Sequence, residues 1–457
     1  MAEKKRRIIK RGRDKRSTHA KEFSFTREMI PHMSNGAQEP TFLTEYREKA
    51  WNAFEKIGFP NREEEAWRRT SLKNLAPGVF KVAEASSLEN VPSVPDELLK
   101  PLAGDKYGGQ IVLTPISTNV YLDKELEAQG VIFTDLATAT QKHSNILEKM
   151  LGQVVRAEEG KFAALTGALA QKGVLLYVPK NTRVDKPLHS VNWGPGVGLA
   201  HFSHILIWVD DNADLTFVHE AASPEAEGQA LHSGIVEIRV GDRANLNFVE
   251  LQSWGKNVWN FSHERARVGQ GGNLDWIFGG VGSRLTKNFT ELDLTGEGAR
   301  GRMSGFVFTE DNQHLDHDTQ QNHLAANTTS DMLFKAALTG VSRSVWQGMI
   351  YVAPGAQKTD GYQANQNLML SDDARADSIP GLEILADDVA CTHGSTIGNL
   401  QEEEIFYLLT RGISREQAER LMVEGFFDPI MQRIPYEGVR SRFQQAIKEK
   451  IKSSMLL

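Results

Sequence analysis

One cysteine, Cys391, stands in a chain of 457 residues. With a single thiol no intramolecular disulfide can form, and neither a zinc finger nor a self-contained four-thiolate cluster site can be built. So little cysteine fits a reducing compartment. No run of about 18 apolar residues occurs, so no segment is expected to span a membrane. Both features point to a cytoplasmic protein. The sequence also lacks a G-x-x-x-x-G-K-[ST] loop, a G-x-S-x-G elbow and an H-E-x-x-H helix, which removes P-loop ATP binding and two hydrolase signatures. GPGVG (194–198) and GQGG (269–272) lack dinucleotide-loop spacing and read as turns.

Acidic residues are scarce only at the start. Residues 1–16 hold nine Lys/Arg against two acids, a local +7, so a net charge of −7 leaves −14 for the rest. No apolar stretch follows the basic run, which speaks against a secretory signal. A solvated, disordered tail over 1–40 is the plain reading, with a basic arm for nucleic acid or a transit peptide as alternatives. An acidic body argues against nucleic acid as the main partner. The composition, 40% hydrophobic and 24% charged, is that of a globular chain of two to four domains with a sizeable core.

Leu43, Tyr46, Ala50, Phe54 and Ile57 step by three and four, which predicts a helix over 41–57 stopped by Gly58 and Pro60. NREEEAWRRTSLKNL (61–75) follows, with an acidic first turn before Trp67. Short αβ pieces over 107–140 and helices near 141–152 and 160–171 complete a mostly helical N-terminal region, 41–172. From 173 to 398 the texture becomes short alternating runs rich in Val, Ile, Phe and Trp, the signal of strands. DNADLTFV (211–218) recurs as DRANLNFV (242–249), QGGNLDWI (270–277) and, more faintly, GARGRMSGF (298–306), at spacings of 31, 28 and 27 residues. Self-similarity at that period predicts a solenoid whose rungs bury their apolar faces by stacking. Two or three short strands per turn favour a β-helix over a β-sandwich, which gives no reason for the echo. Residues 399–457 turn helical again. Asn399 is a candidate cap for one helix, and Ser414 with Gln417 forms a capping box for a second with the stripe Ala418, Leu421, Met422, Gly425 and Phe426. A third, basic helix follows Pro435.

HLDHDTQQNH (314–323) holds three histidines. On a strand His314 and His317 point to opposite faces, while His317 and His323 share one about 20 Å apart, so they cannot share a metal. Structural or interface roles fit them, and the alternative is a groove lined by Asp316, His317 and Asp318. Cys391-Thr392-His393 is sharper. On a strand Cys391 and His393 face one way with Cα atoms about 6.5 Å apart, so thiolate and imidazole could converge on iron, zinc or copper. A buried cysteine beside a hydrogen-bonded histidine is the other reading. Two ligands fall short of the four a cluster needs, so such a site requires another chain to complete it.

SDMLFKAAL (330–338), VWQGMIYVAPGAQKTDGYQANQNLMLS (345–371) and PGLEILADDVACTHGSTIGNLQEEEIFYLLTRGI (380–413) resemble the signature of the SufB/SufD family of iron–sulfur cluster assembly proteins. The resemblance runs over about residues 170–430. Residues 61–75 are similar to a segment typical of the SufD branch and not of SufB, and the shortage of cysteine agrees, since SufB carries the scaffold thiols. The resemblance implies a mainly β chain, a right-handed parallel β-helix core flanked by helical N- and C-terminal regions. It implies a non-enzymatic scaffold that pairs with SufB through the core and docks the SufC ATPase on the helices of 399–457. His393 of the C-[ST]-H-G motif, with Cys391 as the weaker candidate, would then meet a nascent iron–sulfur cluster shared with SufB, and flavin in the complex is a further expectation. The rivals are a SufB-like homodimeric scaffold and a β-helix polysaccharide-active enzyme using Asp316 and Asp318.

Overall fold

The computed structural model describes residues 22–31, 39–84, 91–102 and 107–455, so the basic segment 1–16 lies outside it. Its centre is a parallel β-solenoid of eight rungs, each giving one strand to each of two sheets. Rung 1 is Lys172–Val178 and Leu188–Trp193, rung 2 Leu199–Val209 and Asp214–Ala222, and rung 3 Ala230–Val240 and Asn245–Ser253. Rung 4 is Val258–Val268 and Asn273–Gly280, and rung 5 Leu285–Leu294 and Arg300–Thr309. Rung 6 is His314–His323 and Thr329–Leu338, rung 7 Arg343–Val352 and Thr359–Met369, and rung 8 Arg375–Ile384 and Val389–Asn399. The first strand of each rung belongs to sheet I, the second to sheet II. At the N-terminal end the parallel order stops against antiparallel strands, Ile132–Asp135 in sheet I and, through Gly109–Leu113, Thr118–Leu122 in sheet II.

The repeated sequence is the mark of one corner. Asn181, Asn212, Arg243, Gly271, Gly298, Asn327 and Lys358 all have φ between 55° and 71°, one in each of rungs 1 to 7 at the turn from sheet I to sheet II. That left-handed conformation suits Asn and Gly, whose side chains do not crowd the carbonyl. Each of these residues donates its N–H to a carbonyl of the next rung, as Asn212 does to Asp242 and Gly271 to Glu297, both at 2.9 Å. The residue that follows points inward and must be small: Ala213, Ala244, Gly272, Ala299, Thr328 and Thr359 are all buried there. Above this corner like stacks on like, Leu215 under Leu246 under Leu274 and Phe217 under Phe248 under Trp276. The Phe217 and Phe248 rings lie 5.8 Å apart and nearly parallel.

The two outer faces are covered by the chain's own ends. Over sheet I lie the helices Thr41–Lys56 and Lys161–Leu169, with Phe162 stacked on Phe261 at 3.6 Å. Glu237 of sheet I accepts from the backbone N–H groups of Gly152, Val154 and Val155 and from His204 Nε2, which ties the loop before the second helix down. Residues 61–75 form only a single 3₁₀ turn at Glu65–Trp67, not the helix their acidic start suggests, because Trp67 is taken up by Phe162 of the covering helix and by Phe261 and Phe289 of sheet I. Over sheet II lie Arg415–Met431 and Glu437–Met455, with Phe427 and Phe443 against Phe306. Ser414 and Gln417 form the expected capping box. The buried stripe, however, is Ala418, Val423, Phe427 and Ile430, and Leu421 remains 44% exposed. This helix is apolar on adjacent sides, and the sheet selects one of them. Asn399 closes the last strand and caps nothing; the helix Glu402–Thr410 starts after Gln401.

Asp316 and Asp318 do not line a groove. Lys287 Nζ sits between them at 3.0 and 2.8 Å, its side chain wholly buried beneath residues 61–75. Thr70 Oγ1 donates to Asp316, which leaves the same oxygen to accept from His314 Nε2–H at 2.8 Å. Removing the one cation would strand two buried carboxylates. Lys287→Met is therefore expected to destabilise the chain by about 3–5 kcal/mol in urea unfolding, and adding Asp316→Asn and Asp318→Asn to recover part of that loss. An unchanged midpoint for the single variant would contradict this account.

Candidate functional site

Rung 8 is paired on one side only, and every column of the solenoid ends there in the open. Register places Cys391 over Gly361, His393 over Gln363, Ser395 over Asn365 and Ile397 over Asn367 on sheet II. On sheet I, Ser378 lies over Trp346, Leu382 over Ile350 and Ile384 over Val352. Ser395 Oγ donates to Ser378 Oγ at 2.8 Å, so these side chains face each other across the lumen. One rung below, Gln363, Ile350 and Val352 are fully buried, whereas Ile397 is 54% exposed and Leu382 and Ile384 are also open. The last rung is thus an interior cut open, with two bare strand edges and apolar side chains in solvent. Such an edge is a template for pairing with another chain.

Cys391 and His393 do share a face, as their spacing predicts. Their surroundings differ. The Cys391 thiol is half-buried, and burial raises its pKa above the ordinary value. It points over Gly361, where an added Cβ would lie 3.2 Å from the sulfur and 3.4 Å from His323 Nε2. The glycine thus leaves a space that a thiol and a second imidazole both approach. His323 is buried, with Nδ1 on Thr328 Oγ1 and Nε2 on Ser330 Oγ, each 2.8 Å, and burial pushes its pKa down to about 4. It is neutral and held by two hydroxyls. His393 is exposed, above Gln363, whose amide donates to Gly381 O at 2.9 Å and so braces the floor under the imidazole. His314 lies on the outer face against Thr70, and His317 lies in the lumen two rungs, about 10 Å, below the open end. Sequence spacing could not single out His323 or Gly361, because their meeting with Cys391 depends on register across three rungs.

Among the described residues no group of three or more His, Cys, Asp and Glu side chains is close enough to hold one ion. Cys391 and His393 are two potential donor side chains that face one way on the open rung. A second open surface lies on the C-terminal helices, where Phe406 is 65% and Tyr407 56% exposed beside Leu409 and Leu421. Arg415 Nη2 holds the two helices together through Glu402 at 2.6 Å. Among the described residues no helix is long and apolar enough to cross a membrane.

Comparison with known proteins agrees with this geometry. Residues 193–426 match the family described as the SUF system FeS cluster assembly, SufBD core domain, and residues 110–189 match the SufBD protein N-terminal region. An iron–sulfur cluster assembly SufBD family protein of Staphylococcus aureus strain USA300 is 30% identical over 430 residues, 91% of either chain. The counterpart in Staphylococcus epidermidis strain ATCC 12228 is 29% identical over the same share.

The two site residues should respond differently to substitution and reagent. His393→Ala, at an exposed position, is expected to leave thermal stability within about 0.5 kcal/mol. Alkylation of Cys391 at neutral pH should run slower in the folded chain than in urea, because the raised thiol pKa and partial burial both reduce attack. Equal rates folded and unfolded would show that the thiol does not sit over Gly361.

Proposed function

This chain belongs to the SufBD family of iron–sulfur cluster assembly proteins, and from that membership we propose that it is a non-enzymatic scaffold subunit of the SufD type. In this reading rung 8 pairs with a SufB subunit, so that the sheets of the two chains meet where the lumen is open. The observation that carries it is the exposed final rung: two strands with bare edges, apolar residues in solvent and an imidazole among them. SufB would bring thiolates and His393 a borderline nitrogen ligand, with Cys391 the weaker contributor. The nascent cluster is cargo of the complex, not a resident group of this chain.

The SufC ATPase would dock on the helices after rung 8 through Phe406, Tyr407 and Leu409. The helix Glu402–Thr410 begins two residues after the strand that carries His393, with Leu400 and Gln401 between. Movement of that helix therefore pulls on the edge strand itself. Short elements packed on a stiff solenoid convert a small displacement into opening or closing of an interface, which would admit iron and sulfur to buried ligands.

Co-expression with SufB and SufC should give one complex of all three chains. Ile397→Lys, which puts a charge in the apolar edge, should abolish pairing with SufB and leave the fold of this chain intact. His393→Ala should leave the complex assembled and lower cluster formation on reconstitution by roughly 10–100-fold. Normal assembly in an intact His393→Ala complex would remove His393 from the site. A stable homodimer that excludes SufB would favour a self-paired scaffold.

A further inference from the structure

The lumen has an apolar side and a polar side. Next to the small-residue corner the inward columns of rungs 2 and 3 are Leu215 and Leu246, Phe217 and Phe248, Ile207 and Ile238, buried and apolar. Farther from that corner inward polar side chains occur from the first rungs on, Ser190, His219 and Glu250 in one column and His201 and His232 in another, and several of those from Glu250 onward have no protein partner. Glu250 Oε2, both amide atoms of Gln252, His317 Nε2, both amide atoms of Gln321, Trp346 Nε1 and Gln363 Oε1 are buried with no protein group to bond. Register puts all six side chains on the inward face, between rung 3 and rung 7. Each such atom left dry costs about 1–3 kcal/mol, and together they would consume much of a typical stability of about 5–15 kcal/mol. Buried polar groups in this position are met by ordered water. A cavity lined by Glu264, Asn288, Thr290 and His317 on its polar side has room for about one water molecule.

Two carboxyls stand in this stretch. Glu264 accepts from Asn288 Nδ2 at 3.2 Å and Thr290 Oγ1 at 3.3 Å, and Trp276, which lines the same cavity, donates to Glu250. Neither has a Lys or Arg partner among the described residues. Two buried carboxylates without a cation cannot both be ionised. The titratable groups facing them are His219, in register beneath Glu250, and His317 in the cavity; burial lowers both to about 3, so both are neutral.

We infer that the lumen from Glu250 to Gln363 holds bound water at these unpartnered groups, and that Glu250 and Glu264 retain one proton between them. The ligand class is water and the exchangeable proton. Burial and the neighbouring carboxyl raise the Glu250 pKa, and burial raises that of Glu264 to about 7, in keeping with one retained proton at neutral pH.

The chain alone, without any partner, tests the hydration. Infrared titration of the full chain should show a protonated carboxyl band at pH 6 that is lost as pH rises past about 7, and that is missing in the Glu250→Gln, Glu264→Gln double variant. A raised carboxyl pKa means the folded state binds the extra proton, so stability falls as pH rises from about 4.3, the unfolded glutamate value. The unfolding midpoint of the wild-type chain should therefore drop relative to Glu264→Gln over that range. A high-resolution crystal structure should place water on His317 Nε2 and the Gln321 amide. A dry lumen with these groups bonded to one another, or the absence of a protonated carboxyl at pH 6 in the wild-type chain, overturns the inference whatever the outcome of SufB pairing.

Discussion

Everything in this molecule depends on the in-register stacking of parallel rungs, and stacking depends on one corner. In each of rungs 1 to 7 a single residue adopts the left-handed conformation and hands its N–H to the next rung, and from rung 2 on it is followed by a buried residue small enough to turn inward. Once that corner repeats, every inward side chain lies directly over its counterpart one rung earlier. Columns of like residues follow, and the interior packs without long-range coincidence because each rung contacts only its neighbours.

A solenoid has two faces and two ends, and each needs an answer to water. The N-terminal region answers for sheet I, with Trp67 and Phe162 on Phe261 and a wholly buried Lys287 shared by Asp316 and Asp318. The C-terminal helices answer for sheet II, where Lys450 Nζ reaches Glu310 and Gln313 at 2.8 and 2.9 Å and Arg442 reaches Glu220. Antiparallel strands close the first end. The last end has no cover among the described residues, and it carries His393. The chain spends its own segments on three surfaces and, among the described residues, leaves the fourth open.

The repeat itself was legible in the residues, because the echo DNADLTFV, DRANLNFV, QGGNLDWI is the corner seen in one dimension. So were the first helix and the Ser414–Gln417 capping box, both governed by local chemistry. The shared face of Cys391 and His393 followed from a strand's period of two. Other features were not legible. Residues 61–75 have the composition of a helix start, and their irregular path is set by where Trp67 and Thr70 land on sheet I. Leu421 belongs to an apolar stripe by spacing and yet faces solvent, since packing on Phe306 and Phe308 chose the neighbouring stripe.

Sequence alone determined the solenoid architecture and the shared face of Cys391 and His393, because these rest on period and corner residues. Only the tertiary structure decided which histidines are spectators and which are available. His314, His317 and His323 sit within ten residues, but one is pinned under the N-terminal segment, one lies in the lumen and one is locked between two hydroxyls beneath Gly361. That sorting depends on which strand lies over which, and a strand's neighbours are some thirty residues away in the chain. The single thiol is likewise unremarkable in one dimension; it acquires its position over a glycine, at the open end of the lumen, only when the eighth rung is laid on the seventh.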